Sequence, residues 1–160
     1  MNKEVWKNIE GYENLYQISN YGRVKSIPRN TTKGKILKLG YNNDGYNQVC
    51  LYDGKGNKKT YRVCRLVGIH FLNNPNNYPE INHIDKNVKN DYYENLEWCD
   101  RKYNVNYSKS KKVKSIDDEG NETFYNSIYE TRLFGFNYGN VYRCCKNGQK
   151  HKKLRWEYVK

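Results

Sequence analysis

The chain has 160 residues, a formal charge of +12 and a pI near 9.4; only 36% of it is apolar, and its mean hydropathy is -1.14. That composition excludes one large core and favours small cores beside a wide polar surface. It also excludes a membrane-spanning helix, since the longest apolar runs are a few residues, while so basic a surface attracts polyanions, nucleic acid first.

The start, Met1-Asn2-Lys3-Glu4, leads into polar sequence with no hydrophobic stretch, so the expectation is a cytoplasmic protein without membrane attachment. Residues 1–62 read as short strands and turns of an antiparallel sheet carrying Lys and Arg on one face. Tyr16 to Ser19 is a strand, Asn20-Tyr21-Gly22 a turn, and Arg23 to Ser26 its return; Lys35 to Leu39 follows. Tyr46 to Tyr52 is a stronger strand, closed by Asp53-Gly54 and Gly56-Asn57 turn signals and answered by Lys59 to Val63. From Cys64 to Phe71 the apolar period changes, which predicts a short helix ended by Asn73-Asn74-Pro75.

Residues 80 to 106 form the compact middle. Glu80 to Asn87 contains Asn82-His83, a turn at Asp85-Lys86-Asn87 folds that strand back toward Asn95, and a helix should begin near Asp100 and carry Asn104. Lys109 to Lys114 reads as a mobile basic linker. Val113 to Ile116 and Thr123 to Tyr125 form a hairpin around Glu119-Gly120-Asn121. Ser127 with Glu130 three residues on is a capping box, which predicts a helix to Phe134 that stops at Gly135. A second helix over Gly139 to Cys145 completes a helix-turn-helix pattern, and a strand near Trp156 ends the chain.

Five cysteines, with no C-x-x-C pair, read as reduced and mostly buried thiols. Alanine is absent while Asn, Lys and Tyr abound, which fits an AT-rich coding sequence and makes any single Asn a weak signal. The chemistry concentrates on His83, set among amides and carboxylates. Phosphodiester hydrolysis needs a proton acceptor near neutrality, which imidazole supplies. It also needs a cation to stabilise phosphate charge, and Asn carbonyl oxygens are acceptable ligands for a hard ion such as Mg2+. Two neutral amides hold such an ion weakly, so binding should tighten when a DNA phosphate supplies negative charge.

The linked motifs resemble the HNH homing endonucleases encoded in phage introns, which carry a ββα-metal site. They are Trp6-Lys7-Asn8-Ile9-Glu10-Gly11-Tyr12 with Gly22-Arg23-Val24, Arg65-Leu66-Val67, Asn82-His83-Ile84-Asp85, Asn95-Leu96-Glu97-Trp98, and the C-terminal Ser127, Glu130, Val141, Cys145-Lys146 and Trp156. The resemblance implies an α+β chain of three modules laid out along a duplex. Residues 1–62 would be a DNA-binding antiparallel sheet, 63–108 the HNH ββα-metal module, and 109–160 a helix-turn-helix module. It implies His83 as general base, Asn82 and Asn104 as ligands of one Mg2+ or Mn2+, and Asn95 as the catalytic residue that braces the loop and orients His83. Double-stranded DNA would be gripped by phosphate contacts from Arg23, Lys25, Arg29, Lys33, Lys35 and Lys38. Asn137, Tyr138, Asn140 and Arg143 would read the major groove. A monomer with one site would nick one strand. Two positions depart from the pattern: Asn82 where relatives often have Asp, and Cys64 where they usually have His. Those departures leave a catalytically inactive DNA-binding regulator as the alternative reading.

Overall fold

A computed structural model describes residues 3–30 and 32–159. The leader reading at Met1-Asn2 and the outer module ends therefore lie outside the described residues. The chain divides into two compact units, Met1–Asp100 and Arg101–Lys160.

In the first unit β1 (Trp6–Asn8), β2 (Tyr16–Ser19), β3 (Val24–Ser26) and β4 (Lys35–Ile36) form one antiparallel sheet in sequential order. Tyr16, Ile18 and Val24 turn inward, with Ile18 opposite Val24. The turn between β2 and β3 closes on Gly22 at φ 75°, a conformation that costs glycine little. Its bareness matters as much: a Cβ there would lie 2.6 Å from Cβ of Asp91. A separate three-stranded sheet holds β5 (Gly40–Tyr41), β6 (Asn47–Tyr52) and β7 (Lys58–Arg62). Val49 and Leu51 are buried while Cys50 and Tyr52 are exposed, the period-two pattern of a strand with one wet face.

The expectation of a single N-terminal sheet is therefore corrected to two. The strand expected over 35–39 ends at Ile36; beyond it Leu37 N still donates to the Val24 carbonyl at 2.8 Å, and Leu37 and Leu39 pack against the core. β7 runs directly into α1 (Val63–Phe71), whose inward face is Val63, Cys64, Leu66, Val67 and Gly68. Gly68 lets α1 lie against the hairpin of β8 (Glu80–His83) and β9 (Leu96–Cys99): a Cβ there would meet Ile81 Cδ1 at 2.5 Å. Trp98 Nε1 donates to the Gly68 carbonyl at 3.3 Å. One core runs from Ile9 through Leu51 and Val67 to Leu96, so residues 1–62 and the hairpin share their packing and the expected 62/63 boundary is not a packing boundary.

The second unit opens with α2 (Arg101–Lys109), close to its expected start. Next come β10 (Val113–Ile116) and β11 (Glu122–Tyr125), then α3 (Tyr138–Asn147), β12 (Lys150–His151) and β13 (Leu154–Tyr158). The strands form an antiparallel sheet ordered β11-β10-β13-β12. Trp156, Val113, Val141 and Cys144 are the centre of its core. Elements take up both ends of the expected linker: Lys109 ends α2, and Lys114 sits in β10 with its ammonium 2.5 Å from Glu122, while 110–112 carry no regular structure.

The helix expected over 127–134 is also corrected. Ser127 Oγ does cap, accepting from Tyr129 N and Glu130 N at 3.1 Å each. The turn that follows is a 3-10 helix, Glu130–Phe134. Buried Thr131 donates its hydroxyl to the Ile128 carbonyl at 2.7 Å, and that local bond competes with the wider α-helical ladder. Gly135 ends the turn at φ 77°, as expected. Among the described residues no helix is long and apolar enough to cross a membrane. All five cysteines are free and three of them, Cys64, Cys99 and Cys144, are buried, in line with the expectation of mostly buried thiols; Cys50 is exposed.

Candidate active site

The site is built on the β8–β9 hairpin. Register sets Asn82 opposite Glu97 and His83 opposite Leu96. Asn82 Nδ2 donates to Glu97 Oε1 at 2.9 Å. Because an amide nitrogen can only donate, Oδ1 of Asn82 remains an acceptor available to a hard cation. Glu97 is the residue that sequence reasoning missed here. It puts a carboxylate beside a ligand that is itself neutral. Its signal was present in the alternation of the hairpin, two positions beyond Asn95.

Next to Asn82 in the same strand, His83 takes a different partner. Its Nε2 lies 3.2 Å from Asp91 Oδ1, with both side chains 3% exposed. The second carboxylate oxygen of Asp91 accepts from Asn47 Nδ2 at 2.8 Å. An ionised carboxylate only accepts, so the imidazole proton belongs on Nε2 and the lone pair on Nδ1. Tyr46 packs on the ring with centroids 5.7 Å apart. Burial pushes the Tyr46 phenol above its ordinary value, so it stays neutral.

Asn95 holds the connecting loop. Its Oδ1 accepts from Asp85 N at 3.0 Å, and its Nδ2 donates to Asp85 Oδ1 at 3.0 Å and to the Asn90 carbonyl at 2.8 Å. This is a brace across Asp85 to Asn90. The imidazole expected to be oriented by Asn95 instead pairs with Asp91, which lies in the loop that Asn95 braces. The turn between β2 and β3 backs the same loop: Tyr93 N donates to the Asn20 carbonyl at 2.9 Å, and Gly22 abuts Asp91.

Cys64 completes this group. Its thiol, a His83 ring nitrogen and an Asp91 carboxylate oxygen all lie within 4.8 Å of one another, and all three residues are buried. Burial first, and the Asp91 charge second, push the Cys64 thiol up to about 12, so it stands as a neutral thiol.

The remaining candidates divide by unit. Asn104 lies half-buried on α2 of the second unit. Arg23 is in a salt bridge with Glu4, which that pairing holds below its usual range, and Lys25 stacks 4.1 Å over Trp6. Arg29 lies against Tyr16, while Lys33, Lys35 and Lys38 are exposed. In the second unit Asn137 caps α3, its Oδ1 accepting from Asn140 N at 3.1 Å. Tyr138 and Arg143 are exposed on α3, and the Arg143 guanidinium donates to Asn140 Oδ1.

The NUMOD4 motif matches residues 4–52. The DNA endonuclease I-HmuI of Bacillus phage SP01 is 38% identical over 123 residues, covering 71% of this chain and 68% of the relative. HNH endonuclease L245 of Acanthamoeba polyphaga mimivirus is 37% identical over 156 residues; these are 91% of this chain but 46% of that longer protein. The solved structure of the HNH homing endonuclease I-HmuI, described by its DNA binding and cleavage, is 31% identical. It superposes with a TM-score of 0.56 over 97% of this chain and 98% of its own.

Proposed function

The chain belongs to the HNH homing endonuclease family, and from that premise we propose that it hydrolyses one phosphodiester bond of double-stranded DNA with His83 as general base. The observation that carries the reading is the buried His83–Asp91 pair, Nε2 to Oδ1 at 3.2 Å. It fixes the tautomer and leaves Nδ1 as the nitrogen that accepts a proton from the attacking water. Proton transfer of this kind contributes about 10²–10⁴-fold to rate.

By the family motif Asn82 and Asn104 would hold a single Mg2+ or Mn2+; the Asn82 oxygen, on a side chain bonded to the Glu97 carboxylate, suits a hard ion. Such an ion, when bound, supplies charge stabilisation at the phosphate and the departing oxygen. His83 takes the proton, Asp91 stabilises the imidazolium so formed, and Asn95 keeps the loop carrying Asp91 closed. A monomer with one such site cuts one strand.

The test uses a supercoiled plasmid carrying the DNA that flanks the gene's insertion point. In Mg2+ the wild type should yield open circles before linear product, while His83→Ala should bind the same DNA and not cut it. Immediate linear product would overturn nicking. Equal cutting by His83→Ala would overturn the base assignment, and no cutting by either protein would favour the regulator.

A further inference from the structure

The Cys64–His83–Asp91 cluster is more than a support for the base. It joins a thiol, an imidazole and a carboxylate, a donor set that a borderline-soft ion prefers and that Mg2+ does not. The spacing also fits. With Zn–N and Zn–O bonds of about 2.1 Å, a tetrahedral site sets its nitrogen and oxygen donors roughly 3.4 Å apart. His83 Nε2 and Asp91 Oδ1 are 3.2 Å apart, and the Cys64 thiol lies within 4.8 Å of a His83 ring nitrogen and an Asp91 carboxylate oxygen, so a small side-chain shift brings it to bonding distance. The Asn47 amide occupies Oδ2 of Asp91 at 2.8 Å, leaving Oδ1 to point at the imidazole as a one-toothed ligand. α1, the β8–β9 hairpin and the braced loop each supply one ligand, so the framework is already assembled.

We propose that Cys64, His83 and Asp91 form an inhibitory Zn2+ site, distinct from the Asn82-centred site for the hard cation. The ion takes the place of the proton shared by His83 and Asp91. The Cys64 thiol loses its proton to solvent and binds as thiolate, and water fills the fourth position. Coordinated through Nε2, the neutral imidazole carries its proton on Nδ1. The nitrogen that would accept a proton from the attacking water is then a donor, and hydrolysis stops without any change in DNA binding. The inhibitory half of this proposal rests on His83 being the base; the binding half does not.

The protein without DNA is titrated with Co2+ as a spectroscopic substitute for Zn2+. One equivalent should produce a thiolate-to-cobalt charge-transfer band and the visible bands of a tetrahedral ion, and Zn2+ should abolish both. Cys64→Ser should lose the charge-transfer band and weaken zinc binding by at least about a hundredfold. In the wild type, in enough urea to open the buried thiols to reagent, Zn2+ should slow alkylation of Cys64 alone of the five thiols, read by peptide mass; this holds the test open should Cys64→Ser fold poorly. In Mg2+, nicking by the wild type should fall as one equivalent of Zn2+ is added and return with a zinc-selective chelator, with DNA affinity constant throughout. Absence of a thiolate band, or protection of a cysteine other than Cys64, would overturn the site. Cobalt binding as described, together with full nicking at one equivalent of Zn2+, would overturn the inhibition. Neither cobalt nor alkylation involves DNA cutting, so their failure is separate from any failure of His83→Ala.

Discussion

At the residue scale the site depends on side chains that hold other side chains. Glu97 touches Asn82 at 2.9 Å and would act through it on the cation. Partners of a metal ligand typically matter by about 10–100-fold in metal affinity. Glu97→Gln should therefore raise the Mg2+ concentration for half-maximal cutting by roughly that factor, with DNA binding unaltered; an unchanged Mg2+ dependence would separate Glu97 from the metal. Gly22 acts at longer range. Replacing it by Ala demands both a positive φ and a Cβ 2.6 Å from Asp91, which together should cost about 2 kcal/mol in stability. The yielding atom is Cβ of Asp91, which carries the carboxylate that pairs with His83, so cutting should fall further than the melting temperature alone accounts for. His83 and Asn95 were legible in the sequence because motifs name them. Asp91 was not, since the seven residues between it and His83 fold into a loop whose closure depends on Asn95, and no periodicity reports a loop closure.

At the scale of elements, strands and helices were legible wherever burial alternates cleanly. β2, β6 and α1 fall within one residue of their expected bounds because Ile18, Val49, Leu51 and Leu66 mark a single inward face. What was not legible is pairing across gaps: β1 and β5 are too short to show a period, and nothing in the sequence marks the break between β4 and β5 that splits the strands into two sheets. The turn over 130–134 was misjudged for a different reason. A capping box specifies where a helix starts, not whether Thr131 will tighten it afterwards. The cap on α3 is the cleaner case. Asn137 Oδ1 takes the Asn140 amide at 3.1 Å at an exposed N-terminus. Asn137→Ala should then destabilise the second unit by about 1 kcal/mol, and Asn137→Asp should restore it. Since Asn137 is also a candidate for base contact, the aspartate would regain stability while losing DNA affinity. That split, measured by thermal unfolding and by gel shift, distinguishes cap from contact.

At the scale of the whole molecule, a net +12 predicts how binding responds to salt rather than what is bound. Each phosphate neutralised contributes about -0.9 to the slope of log affinity against log salt, whatever the sequence. The six N-terminal cations expected to serve this role are not equivalent in the folded chain. Arg23 is already paired with Glu4 and Lys25 stacks on Trp6, so each must exchange an existing partner for a phosphate. Lys33, Lys35 and Lys38 are exposed. Replacing these three by Ala should flatten the slope by about 3 if each touches a phosphate, and should weaken target and unrelated DNA equally. Arg143→Ala on α3 should do the opposite, narrowing the gap between target and unrelated DNA with a smaller change in slope. An unchanged slope in the triple variant would move the phosphate grip away from 33–38, to the basic run at the end of α2.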